Sequence, residues 1–443
     1  MKRLIIEQST TETYTSHSGL ALVGLCLNRY STIHKALKAG IPLRHGISHS
    51  DIIKSYIGTL CLGKSDFEAI ENFRNDDYFK NALSIKHVPS SARLRQRLDE
   101  EAEALLVIMQ QCNIEFLTNA GVPVTPLATH HVALDIDVYP MNNEKTQKEG
   151  VSRTYKGHDG YAPIAAYLGN EGWCLLNELR EGKQHCQNGF QTTLDRVIEY
   201  ARCLTEAPLL VRLDSGHDAL DTRIWLHQNK VDSILKWNPR KQDQEAWLAL
   251  AEQQGKWTTP RVGKRVALFS VQEIQQHDGQ TYRFRRVMRV IERTMDADGQ
   301  MLLIPEIEIE GWWTSLNSLA YADEQIIALY KDHATSEQFH SEFKTDLDIE
   351  RLPSGKFATN DLIMTLSAYS YNILRWIGLI GLIGNISPVR HPAKRRRIKT
   401  VIQELMYLAA RIIHAGRRIK LRFSKHCPGF LAFESTYHRL ASG

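Results

Sequence analysis

The chain has 443 residues, of which 43% are hydrophobic and 24% charged, with a net charge of +5. That size and composition exclude a disordered or fibrous protein and leave room for two or three globular domains, each burying its own core. No run of about 18 apolar residues occurs; "WIGLIGLIGNI" from Trp376 is short and follows Arg375, so it predicts a buried core helix and no membrane span. The cysteines, Cys26, Cys61, Cys112, Cys174, Cys186, Cys203 and Cys427, are scattered without a C-x-x-C pair or zinc-finger His spacing, which argues against a disulfide framework and structural zinc. The opening "MKRLIIEQSTTETYTS" lacks the sustained apolar stretch and cleavage pattern of an export signal, so a cytoplasmic location is expected.

From Gly19 to Glu115 the pattern is helical, with short breaks at "AGIPLRHG" and "KHVPSS". Within it, "VPSSARLRQRLDEEAEALL" offers Ser90 or Ser91 as an N-cap, with Arg93, Arg95 and Arg97 in the turns that follow. This fits the reading helix of a helix-turn-helix, or simply a polar helix.

The texture changes at "PVTPLATHHVALDIDVYP". Three strand-like runs follow one another, continuing through "GYAPIAAYLG" and "EGWCLLNELREG", then a helix, "GFQTTLDRVIEYARCL", then a short apolar run, "APLLVRLDSGHD". A meander, a crossover helix and a further strand make an α/β core. Asp135 and Asp137 share one side of the first strand, because strand side chains alternate. Asp214 ends the fourth run, where active-site groups commonly sit in α/β sheets. Singly, such acids could face solvent or cap a turn; on two strands of one sheet they suggest a bound cation. Oxygen ligands without His or Cys select hard divalent ions, Mg²⁺ or Mn²⁺.

Beyond Asp214, "VDSILKWNPRK" predicts a core strand followed by basic residues. From Trp257 to Thr314 the runs "RVALFSVQEI", "YRFRRVMRVIERT" and "MLLIPEIEIEGWWTSL" predict a β-rich insertion with a "DADGQ" turn. Arg283, Arg285, Arg286 and Arg289 would suit either DNA backbone contacts or a salt-bridged strand. In "YKDHATSEQFHSEFK", Tyr330, His333, Glu337 and Lys344 fall within a helical stripe roughly 60° wide. A core-facing stripe should be apolar, whereas this one is aromatic, basic, acidic and basic; an exposed face with spaced charges is the alternative. From Arg390 to Lys425, twelve Lys or Arg stand against the single acid Glu404. There "VIQELMYLAARIIHAGRRIKLRF" predicts an amphipathic helix with a cationic face suited to a phosphate backbone.

The spacing from Tyr330 to Lys344 resembles the Y-x2-R-x3-E-x6-K signature of DDE transposases from bacterial insertion sequences, with His333 at the family's Arg position. "LDIDVYP" resembles that family's first acidic strand and "VRLDSGHD" its second, and the order agrees from Leu127 to Trp376. The resemblance implies an α/β fold with a ribonuclease H-like catalytic core in two parts, 126–255 and 316–390. A β-rich insertion would occupy 256–315, a helical DNA-binding domain 1–125 and a basic helical region 391–443. It implies a DDE triad of Asp137, Asp214 and Glu337 holding two Mg²⁺ or Mn²⁺ ions. Asp135 is a rival to Asp137, because Tyr139 stands where the family has Thr.

Tyr330, His333 and Lys344 would be phosphate contacts, His333 a weaker one than Arg because it is mostly neutral. DNA contacts are expected from Arg93, Arg95, Arg97, Lys236, Arg240, Arg395, Arg396 and Arg397. Trp312 and Trp313 would either stack on a flipped base, as in hairpin-forming relatives, or belong to the core. The implied function is cut-and-paste transposition by a homodimer on paired inverted-repeat ends and target DNA, near the bacterial nucleoid. A DNA-binding derivative without catalysis and a general metal-dependent nuclease of the same fold are the alternatives.

Overall fold

In the computed structural model, which describes residues 3–296, 298–393, 395–416 and 418–442, the sheet around the paired acids follows the order of the strand-like runs. The first acidic run is β1 (Val132–Val138), followed by β2 (Ile164–Leu168) and β3 (Trp173–Glu178). The run ending at Asp214 is β4 (Leu209–Leu213), and β5 is Asp232–Lys236. Strands β2 and β3 pair antiparallel onto one side of β1, while β4 and then β5 pair parallel on the other. The order β3-β2-β1-β4-β5 puts β1 and β4 at the centre, so β4 reads as an almost continuous apolar run, every residue of it buried. The crossover is the helix α2 (Phe190–Arg202), whose Phe190, Leu194, Val197 and Ala201 recur at helical spacing and are buried.

The expected insertion extends this same sheet. Strands β6 (Lys256–Arg261), β7 (Lys264–His277), β8 (Gln280–Met295) and β9 (Met301–Thr314) form an antiparallel run, and β9 pairs with β5 through Trp312 opposite Lys236. The β7–β8 turn is Asp278-Gly279, both at positive φ, the two-residue geometry whose twist suits a hairpin. In "DADGQ", Ala297 lies outside the described residues.

Among the described residues seven helical segments precede β1, in keeping with the helical N-terminal reading. They do not bury a core of their own. The helix α1 (Ala102–Ala120) packs on the helix Phe357–Gly381, which is buried on nearly all sides and also lies against β3. Asn372 locks the junction: its Oδ1 accepts from Cys174 N at 3.0 Å, and its Nδ2 donates to Cys174 O and Asn113 Oδ1, each at 2.8 Å. One large hydrophobic cluster thus runs from Leu20 to Leu440, and a smaller one gathers Leu210, Ile234, Val287, Trp312, Leu316, Ile326 and Ile327 where the insertion adjoins β5.

Two further segments differ from expectation. Tyr330–Lys344 is helical throughout but changes pitch: α3 (Asp323–Lys331) passes into a 3₁₀ turn, Asp332–Ala334, then α4 (Thr335–Ser341), then a π turn, Glu342–Asp346. The tightening at His333 turns that side chain into the sheet, while Glu337 stays exposed. Gly172, at φ +73° in the β2–β3 turn, lets α4 lie close, since a Cβ there would overlap the Phe339 ring.

The C-terminal basic segment is not an amphipathic helix beyond Met406. Ala410–Ala415 and Arg418–Phe423 form an antiparallel hairpin that joins Thr13–Thr15 in a separate three-stranded sheet. "RIKLRF" alternates basic and apolar residues with period two, and that local pattern prevails over the helical spacing read across the longer segment. Lys394 of "KRRRIK" and Arg417 of "RRIKLR" lie outside the described residues.

Candidate active site

The register of β1 against β4 decides what its two acids do. Asp135 pairs with Arg212 and Ile136 with Leu213, so one further step sets Asp137 beside Asp214. The residues two apart share a face, giving first a matched pair and then a like-charged one. Arg212 grips Asp135 with both arms, Nε to Oδ1 at 2.6 Å and Nη2 to Oδ2 at 2.7 Å, and its Nη1 donates to Leu329 O at 2.7 Å. His333 Nδ1 adds a contact to Asp135 Oδ1 at 2.9 Å. Burial alone would raise the Asp135 carboxyl, but Arg212 and His333 hold it below the ordinary range. The same bond raises the buried His333 imidazole against the pull of desolvation. His333 is therefore a buried partner of Asp135, which corrects its expected role as a phosphate contact.

Asp137 has no such cation. Its Oδ1 accepts from Val138 N at 2.8 Å, and burial, then Asp214, and more weakly Glu337 push its carboxyl up to about 7 against the opposing charge of His333 and the Val138 bond. Asp214, half-exposed after β4, takes His217 Nδ1 at 2.6 Å. Burial opposes its ionisation, yet the His217 bond and charge carry it below the ordinary range. The Tyr330 hydroxyl adjoins the group: burial, followed by Asp214, Asp137 and Asp135, raises it. Lys344 donates to Pro140 O just past β1 and pairs with Glu350 at 3.5 Å, so its ammonium is held at the strand's end by protein groups.

A divalent cation fits this donor set. Two adjacent buried or half-buried carboxylates with one pushed to about 7 are hard oxygen ligands whose repulsion a cation would remove. Among the described residues no three His, Cys, Asp or Glu side chains already close around one point. The preformed part is the Asp137–Asp214 pair, and Glu337 is an exposed side chain on α4.

The sequence reading missed three neighbours. Arg212 stands two residues before Asp214 as Asp135 stands two before Asp137, a spacing that only the register turns into an ion pair. His217 follows Asp214 by three. His340 follows Glu337 by three, lies with Nδ1 3.8 Å from Asp137 Oδ2, and stacks on Tyr139 with ring centres 4.3 Å apart. Burial, with His333 and Lys344 nearby, pushes His340 down to about 3, so it meets Asp137 as a neutral ring.

The model of the family described as transposase DDE domain group 1 matches residues 2–442, nearly the whole chain. The chain belongs to this transposase family. No curated protein matches it. Among solved structures it is similar to the cryo-EM structure of a piggyBac transposase synaptic complex with hairpin DNA, at 12% identity and a TM-score of 0.38, over 87% of this chain and 79% of that one. No helix among the described residues of the transposase chain is long and apolar enough to cross a membrane.

Many of the DNA contacts expected of this transposase are engaged within the protein. Arg97 is buried against Ile47 O and His49, whereas Arg93 and Arg95 are exposed, Arg95 lying over the Phe67 ring. Lys236 pairs with Glu310 at 2.6 Å and lies over Trp312. Arg240 is exposed, with one arm on Asp218 O at 3.3 Å. Trp312 and Trp313 are buried, Trp313 between Arg223 and Arg286, which corrects the stacking role to a core one. Arg285, Arg286 and Arg289 pair with Asp323, Glu273 and Glu310, which makes this part of the insertion a salt-bridged strand, while Arg283 is exposed. Arg395 bonds Gln338 at 2.7 Å, Arg397 grips Asp346, and Arg396 donates to the carbonyls of Leu382, Val389 and His391. Arg395 and Arg397 brace the α4 helix and the π turn after it, because the basic run lies against them.

Proposed function

We propose that this transposase binds the terminal inverted repeats of an insertion sequence as a homodimer and performs divalent-metal-dependent cleavage and strand transfer, with Asp137, Asp214 and Glu337 as the acidic triad. The observation that carries the reading is the β1–β4 register, which sets Asp137 beside Asp214 while Asp135 is neutralised by Arg212. The strand order β3-β2-β1-β4-β5 with β2 antiparallel supports a ribonuclease H-like core.

The three carboxylates would hold two Mg²⁺ or Mn²⁺ ions, which when bound supply charge stabilisation at the phosphodiester and a more acidic attacking hydroxyl or water. The chain's own residues do the positioning. Arg212 and His333 fix β1 through Asp135, so that Asp137 cannot swing away from Asp214. Asp137 must lose its proton to serve as a ligand, so metal affinity should rise with pH through about 7. Neutral His340 packs the back of Asp137 without competing for the cation. Tyr330, on the same helical segment as Glu337, would meet the phosphate, with Lys344 holding the end of β1.

Asp214→Asn or Glu337→Gln should lower divalent-dependent cleavage of inverted-repeat DNA by ~10³-fold or more while end binding persists. Retained cutting in either variant overturns the triad; wild-type binding without any cleavage would point to a DNA-binding derivative instead.

A further inference from the structure

The arginines of "KRRRIK" and, Arg283 apart, those of the insertion are matched by acids, amides or carbonyls among the described residues. The C-terminal hairpin is different. Its edge strand, Arg418–Phe423, alternates: Ile419, Leu421 and Phe423 share one side, and Phe423 packs on Phe433 of the last helix, Phe430–Ser442. Arg418, Lys420 and Arg422 therefore share the other side, and all three are exposed. Among the described residues no hydrogen bond or ion pair engages their side chains, nor that of Lys425 just beyond.

The neighbouring strand continues the same face. Arg411 lies directly opposite Arg422, and Tyr14, 60% exposed, lies opposite Arg411. Like charges directly across a ladder cost stability, and only Arg411 has an acid, Glu12 at 2.7 Å. The face borders a depression of about 850 Å³ whose wall includes Ile413, Lys420, Arg422 and Lys425.

We propose that this two-stranded ribbon is a DNA-backbone contact surface, with Arg418, Lys420 and Arg422 each reaching a phosphate. The occupant follows from charge: a row of unpaired cations about 6.6 Å apart, two residues along a strand, meets a polyanion whose phosphates recur every ~3.4 Å of rise along each strand. Long cationic side chains spaced to meet phosphates position a duplex without reading its bases, so the contact proposed is independent of sequence and adds to whatever reads the repeats. This inference rests on the transposase reading for its partner, but not on cleavage.

The test is binding of a fluorescein-labelled duplex of arbitrary sequence, followed by anisotropy from about 50 to 200 mM salt. Arg418→Glu, Lys420→Glu and Arg422→Glu together should weaken binding at least ~10-fold and flatten the salt slope by roughly 2.7, at about 0.9 per phosphate contact. The milder Arg418→Gln, Lys420→Gln, Arg422→Gln variant, checked for an unchanged unfolding midpoint, should flatten the slope by the same amount. Arg418→Lys with Arg422→Lys should keep it. An unchanged slope and affinity in the triple variants overturn the proposal, as would loss of self-association with DNA binding intact, which would give the face to a second copy of the chain. Wild-type cleavage is measured separately, so failure of the catalytic reading leaves this result interpretable.

Discussion

On one face of β1, Asp135 is sealed between a guanidinium and an imidazole, while two residues on, Asp137 lies beside Asp214 and the neutral His340 ring, with no cation bonded to it. The strand, the face and the side chain are the same. The difference comes from the neighbour: Arg212 stands in register with one acid, and Asp214 falls one step beyond the last paired residue, beside the other. A buried carboxylate becomes structural when the adjacent strand supplies a cation; a second acid in that place makes the like-charged pair that we propose as the cation site.

Neutralising each acid in turn should break this contrast in opposite directions. Asp135→Asn leaves the buried Arg212 without its counter-charge and should cost about 3–5 kcal/mol, read by urea unfolding at neutral pH. Asp137→Asn should instead stabilise the metal-free protein by about 2 kcal/mol at pH 8, within a ceiling of about 4 kcal/mol set by the rise from 3.8 to about 7. In that range the unfolded carboxyl has already lost its proton while the folded one keeps it. Wild-type stability therefore falls from pH 4 to 7, and the Asn variant should lose that part of the fall.

The smallest effect sharpens the comparison on the Asp135 side. His333→Gln should cost about 1–2 kcal/mol below pH 6.5, because His333 is raised by its bond to Asp135. The loss should shrink as pH passes above the raised value, where the wild-type ring also gives up its charge. Unfolding midpoints at pH 6 and pH 9 would show the difference, and an equal cost at both would mean that shape, not charge, seats the ring.

Much of the fold was legible in the sequence. The five core strands, the crossover helix and the three long insertion strands each carry a local period that packing reinforces, whereas of "WIGLIGLIGNI" only Trp376 to Gly381 is α-helical, at the end of a longer helix, and Ile383 beyond it is exposed. The C-terminal hairpin was misread because apolar residues near helical spacing upstream masked the strict alternation of "RIKLRF". The site was half legible. Strand alternation placed Asp135 and Asp137 on one side, but which of them is neutralised depends on Arg212, 77 residues later, and no local pattern fixes a register across that distance. His333 followed the helical spacing in number but not in direction, because the 3₁₀ turn rotates it into the sheet. The burial of Trp312 and Trp313 likewise comes with partners from other strands and helices, Lys236 and Arg289 over Trp312 and Arg223 and Arg286 over Trp313.

The most direct measurement is Mn²⁺ binding to the full chain at pH 8, followed by electron paramagnetic resonance and calorimetry. The wild type should bind, the Asp137→Asn and Asp214→Asn variants should each lose affinity by ~10-fold or more, and the lost binding should coincide with lost cleavage. Unchanged Mn²⁺ binding in both variants would contradict the assignment of the like-charged pair as the cation site.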